Sequence, residues 1–121
     1  MIRPRLESAL PSLCAEIIRL STVAARTDIS DQIPALHIES RCGCGDDFCS
    51  PFYVVNESRP LNIVEKNVIG QRHGETVALD PDDGYINIDL DNFGRVVTIE
   101  VLYRDEVRRT LEDMNIPARV R

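Results

Sequence analysis

The succession of helical and alternating segments predicts an α+β fold, with N-terminal helices and a C-terminal helix packed on one face of a mostly antiparallel five-stranded meander sheet. Three observations carry that expectation. Residues 1–34 hold an apolar stripe at helical spacing. Residues 35–103 switch to short alternating runs separated by turn residues. From residue 104 to 116 a charged segment again carries apolar residues three and four apart. A chain of 121 residues is expected to form a single domain, large enough to bury a core without staples.

The elements follow in order. Leu10, Leu13, Ile17, Leu20 and Ala24 share one helical face, with Cys14 beside it. Pro11 suits a first helical turn, where its missing N–H costs nothing, so a helix is expected over about 11–25. Thr27 is placed to cap a short second helix with Asp28 in its first turn, and Pro34 to end it. Leu36 to Arg41 alternates, and Phe52 to Val55 is the returning strand of a hairpin whose tip holds most of the cysteines. Residues 56–74 are the least regular, interrupted by Pro60, Gly70 and Gly74. Thr76 to Leu79 is a third strand, Asp80-Pro81-Asp82-Asp83-Gly84 a turn, Tyr85 to Leu90 a fourth strand and Arg95 to Tyr103 a fifth.

A four-residue loop at 91–94 pairs Leu90 with Arg95, Ile88 with Val97 and Ile86 with Ile99, which gathers the apolar residues on one face. The second and fifth strands are the expected exposed edges. In the final helix Asp105 and Glu106 oppose the helix dipole, Val107, Leu111 and Met114 mark the buried stripe, and Pro117 stops it.

The formal charge is −6, with 43% apolar residues and no tryptophan. The core is therefore aliphatic, and a basic surface for displacing nucleic-acid counterions is lacking. No apolar run reaches a membrane span, and no apolar stretch follows Arg3 and Arg5 as a secretory leader would require. The expected compartment is the cytoplasm, where thiols and metal sites outnumber disulfides.

Cys42-Gly43-Cys44-Gly45-Asp46-Asp47-Phe48-Cys49 holds three of the four cysteines. Cys42, Cys44 and Cys49 would supply three ligands of a structural zinc site, with His73, His37 or Cys14 as the fourth and His73 preferred. Cys-x-Cys is, however, a poorer chelate than Cys-x-x-Cys. A Cys42–Cys49 disulfide, a catalytic thiol and a tight glycine-rich turn with idle thiols are the other readings. The adjacent Asp46 and Asp47 would raise a thiol pKa, which disfavours a nucleophile.

A second feature is charge. Glu75, Asp80, Asp82, Asp83, Asp89 and Asp91 occupy residues 75–94 without a lysine or arginine. The run suits recognition of a basic protein, although acids also favour turns and solvated strand faces. A calcium loop fails on ligand spacing.

The stretch Cys42 to Cys49, followed by Phe52-Tyr53 and closing on Glu100 to Arg108, resembles a family of small uncharacterised bacterial proteins with a Cys-x-Cys-Gly-Asp-Asp-Phe-Cys motif. The family's His-Arg-like dipeptide corresponds to Arg72-His73, in inverted order. The resemblance covers about the last two-thirds of the chain and implies shape without activity. The final hairpin also resembles, more weakly, a commoner bacterial domain of unknown function.

The expected function is a non-enzymatic acidic module that binds one cognate basic protein, an immunity protein neutralising a bacterial toxin being its concrete form. Asp46, Asp47, Asp82 and Asp83 are the expected partner contacts, and no cofactor is required. The alternative is a cysteine-based zinc-binding or redox-linked module.

Overall fold

The computed structural model describes residues 3–43, 50–56 and 73–119. Among these residues four helices, α1 (Leu6–Ala9), α2 (Pro11–Val23), α3 (Thr27–Ser30) and α4 (Asp105–Asp113), accompany β1 (Leu36–Cys42), β2 (Phe52–Asn56), β3 (His73–Leu79), β4 (Tyr85–Asp91), β5 (Val96–Leu102) and β6 (Ala118–Arg119). A 3₁₀ turn at Ile33–Ala35 leads into β1. The chain is α+β, as the pattern of segments predicts. Among the described residues no helix is long and apolar enough to cross a membrane.

The sheet runs β3-β4-β5-β2-β1-β6. Its first five strands pair antiparallel, and β6 joins β1 in parallel. The order is not a continuous meander. A β1–β2 hairpin and a β3–β4–β5 meander are joined where Phe52 and Tyr53 pair with Ile99 and Thr98. The edges are accordingly β3 and β6, which corrects the expectation that β2 and β5 lie there. Phe52, fully buried, gives the physical reason: pairing β2 with β5 puts that ring at mid-sheet, and alternation within a strand does not rank its neighbours.

One cluster forms the core. Ile38, Phe52, Ile86, Ile88, Ile99 and Val101 on the sheet meet Leu13, Ile17 and Leu20 of α2 and Val107 and Leu111 of α4. The α2 stripe is thus the expected one. The helix stops at Val23, two residues early, because Ala25 takes φ +60. Arg26 N then donates to Ser21 O (2.7 Å) and Ala25 N to Thr22 O (3.0 Å). That is a Schellman closure, which satisfies the last carbonyls. Thr27 lies inside α3 and does not cap it; Arg26 holds the capping position without a side-chain cap bond.

The C-terminal helix closes the same way. Asn115 has φ +57, Ile116 N donates to Leu111 O (3.1 Å) and Asn115 N to Glu112 O (3.0 Å). The turn swings Ile116 into the core and leaves Met114 39% exposed, so Ile116 takes the place expected of Met114.

The β4–β5 register also departs from expectation. Leu90 pairs with Val96, Ile88 with Ile99 and Ile86 with Val101. Asp91 N donates to Arg95 O (2.9 Å), Gly94 N donates to Asp91 O (3.0 Å), and Gly94 has φ +77. This is a type I turn closed by a left-handed glycine. A bulge then falls at Val97, between the Leu90–Val96 and Asp89–Thr98 pairs. The two irregularities put Val96, Ile99 and Val101 on the buried side. Val96 N is taken by Gln32 Oε1 (2.9 Å), while Gln32 Nε2 donates to Gly94 O (2.8 Å) and Asp28 O (2.9 Å). One buried amide thereby ties α3 to the hairpin.

Candidate functional site: the acidic end of the sheet

Antiparallel pairing decides which turns meet. Leu79 pairs with Ile86 and Tyr85 with Leu102, so the Asp80–Gly84 turn and the β5–α4 junction lie at one end. Ser50 N donates to Val101 O (2.9 Å) and Cys42 N to Pro51 O (2.9 Å), which brings both described anchors of the β1–β2 tip to the same end. Asp105 and Glu106, in the first turn of α4, follow directly.

Arg104 organises this end. Its Nη1 and Nη2 donate to the two carboxylate oxygens of Glu16 on α2 (2.9 and 2.7 Å). Its Nε and Nη2 also donate to the backbone oxygen of Asp83 (2.9 and 2.7 Å). The arginine side chain is 10% exposed and that of Glu16 18%. The Arg104 hydrogen bond outweighs the burial of Glu16 and holds its carboxyl below the usual carboxylate range. Positive charge is thus consumed inside the molecule, while the carboxylate of Asp83, 82% exposed, faces water 3.8 Å from Arg104 Nε. Asp80 and Asp82 are exposed as well.

The turn needs its glycine. Gly84 has φ +69, and a Cβ there would sit 2.4 Å from Leu102 O. Just past the end of β5, Tyr103 takes φ +64, a left-handed conformation unusual for so bulky a residue. The Tyr85 and Tyr103 rings meet at 5.8 Å between centroids with planes inclined by 57°.

The expected site residues divide as follows. Asp82 and Asp83 are exposed at this end, on a turn fixed by Arg104. Asp46, Asp47, Cys44 and Cys49 lie outside the described residues. Cys42 closes β1, half-buried, with a free thiol. His73 starts β3 opposite Asp91, at the other end of the sheet. Four strand spacings separate β3 from β1, about 19 Å at ~4.8 Å each. The fold therefore sets the backbone of His73 apart from that of Cys42, while Cys44 and Cys49, the other two expected ligands, lie outside the described residues. Cys14 is buried in α2, its thiol pushed up to about 12 by burial and then by Glu7, which leaves it inert. Among the described residues no three His, Cys, Asp or Glu side chains gather as metal ligands.

Asp89 and Asp91 belong elsewhere. Asp91 Oδ1 accepts from Phe93 N (2.9 Å) and Arg95 N (3.0 Å), so this acid builds its own turn. Asp89 Oδ1 accepts from Thr76 Oγ1 across the strands (2.7 Å). Glu75 accepts from Arg26 Nη1 (2.7 Å), and Nη2 of the same arginine holds Asp28 (2.9 Å). The acidic run is thus divided: Asp80, Asp82 and Asp83 form the exposed group, while Glu75, Asp89 and Asp91 serve structure. Glu16, Arg104 and the tyrosine pair escape sequence inspection, because their contacts join segments far apart in the chain.

Compared with family models, with curated proteins and with solved structures, the chain gives no significant match.

Proposed function

We propose that this chain is a non-enzymatic binding module that holds one basic partner protein at the acidic end of its sheet, as an immunity protein does for a cognate toxin. The observation that carries the proposal is the division of labour at Asp83. Its backbone is locked by Arg104 while its carboxylate points to water. A preorganised acidic turn of this kind spends little ordering entropy on binding and steers a basic partner electrostatically. Cys42 and Ser50, which flank the stretch holding Asp46 and Asp47 in the sequence, lie at the same end. Neutralisation of most internal arginine charge by Glu16, Asp91, Asp28 and Glu75 adds to the effect, since the field left outside is negative.

The test is affinity for the partner recovered on immobilised protein at low salt and identified by mass spectrometry. The partner is expected to be basic. Replacing Asp46, Asp47, Asp82 and Asp83 with asparagine is expected to weaken its binding roughly tenfold or more and to flatten the dependence on salt. Binding of unchanged strength and salt dependence by that variant overturns the proposal.

A further inference from the structure

We infer that Tyr85 and Tyr103 form an arginine-receiving platform at this acidic end, and that the partner docks through an exposed arginine stacked on one of the two inclined rings, flanked by the other, and held by Asp82 and Asp83. The inference rests on the preceding proposal and gives it a contact of defined chemistry. The chain has only three tyrosines and three phenylalanines and no tryptophan, yet two of the tyrosines are each 59% exposed and packed against one another. Phe52, by contrast, is fully buried. A paired, exposed aromatic surface is the composition of an interface anchor, because tyrosine offers rigid amphipathic area at small entropic cost.

The backbone supports the same conclusion. Tyr103 holds a left-handed conformation that glycine or asparagine would adopt with less strain. Tyr85 follows Gly84 directly, and Gly84 packs on Leu102 O. The acidic turn, held by Arg104, and the tyrosine pair are therefore joined directly through Gly84. Charge complementarity selects the occupant. Asp83 and Asp82 precede Tyr85 by two and three residues and Glu106 follows Tyr103 by three, all three exposed, and a cation that also stacks on aromatic faces satisfies both features. Arginine does this better than lysine, through its planar guanidinium and its fork-like donors.

The experiment titrates the full chain with a synthetic peptide of alternating arginine and glycine, and with its lysine counterpart, following tyrosine ring resonances and calorimetric heat. The wild type is expected to bind the arginine peptide about threefold more tightly than the lysine peptide. Tyr85→Ala with Tyr103→Gly removes both rings and relieves the left-handed strain. This variant is expected to melt no lower than the wild type once the Tyr85 substitution is corrected for, to lose the arginine preference and to bind the arginine peptide about tenfold more weakly. Tyr85→Phe with Tyr103→Phe is expected to restore the preference. A tyrosine-deleted variant that keeps the wild-type preference overturns the platform. If Asp82→Asn with Asp83→Asn still weakens both peptides in that case, the acidic-end proposal stands without it. If the asparagine substitutions change neither peptide's binding, the acidic-end proposal itself falls.

Discussion

Arg104 is the residue on which this end of the molecule depends. A guanidinium that donates to both oxygens of Glu16 and to the carbonyl of Asp83 fixes α2, the acidic turn and the start of α4 relative to one another. Both partners of the ion pair are largely out of water, so removing one leaves a charge uncompensated. Arg104→Met is therefore expected to destabilise the protein by about 3 kcal/mol at neutral pH, measured by urea unfolding. The pH dependence gives a sharper test. Arg104 lowers the folded-state pKa of Glu16, so the contribution is complete above the unfolded value of about 4.3 and is lost as pH falls through the folded value. The stability difference between wild type and variant should accordingly shrink as pH is lowered from about 5 toward 2. A difference that stays constant across that window would show that the pairing contributes packing and no charge. None of this is visible in the sequence near Arg104, where the residue reads only as the start of a charged helix.

At the scale of elements, positive-φ residues explain most differences between expectation and structure. Strands β1, β2 and β4 were legible within a residue or so, because their apolar positions alternate. Helix α2 ends early at Ala25, α4 hands burial to Ile116 at Asn115, and the β4–β5 register shifts through Gly94 and the bulge at Val97. Periodicity reports which face a residue prefers; it is silent about an extra residue inserted into a strand. Helix α1 and strand β6 are too short to show a period at all. The two left-handed glycines separate two costs. Gly94 has nothing within 4 Å of a built Cβ, so Gly94→Ala is expected to lose about 1 kcal/mol from backbone conformation alone. At Gly84 the new Cβ would stand 2.4 Å from Leu102 O. Gly84→Ala is expected to cost about 3 kcal/mol and to shift the Tyr85 and Tyr103 ring resonances. Equal losses for the two variants in thermal melts would mean that the turn does not pack on β5 as described.

For the whole molecule, the sheet order settles what composition left open. The negative charge was plain in the sequence, and so was the run of acids from Glu75 to Asp91. Which of those acids face outward was not, because that depends on arginines brought in from residues 26, 95 and 104. Arg26 occupies Glu75, Arg95 donates to Asp91 (2.8 Å) and is itself buried, and Arg104 takes the backbone of Asp83 while leaving its carboxylate outside. The same order places His73 and Cys42 at opposite ends of the sheet, which spacing along the chain could not reveal. Among the described residues, Asp80, Asp82, Asp83, Asp105 and Glu106 stand exposed at one end of the sheet, with Arg104 and Arg108 at 3.7–3.9 Å from the last three, and Glu75 and Asp91, each paired with an arginine, stand at the other.

That asymmetry is tested most directly by mapping backbone amide shifts as the alternating arginine–glycine peptide is added to the full chain at low salt. The expected perturbations centre on residues 80–85 and 102–106 and extend to Cys42 and Ser50, with little change at Arg26–Asp31 or in the Asp91–Gly94 turn. Perturbations spread evenly over the exposed acids, or centred on the Asp91–Gly94 end, would contradict the assignment of recognition to the acidic end.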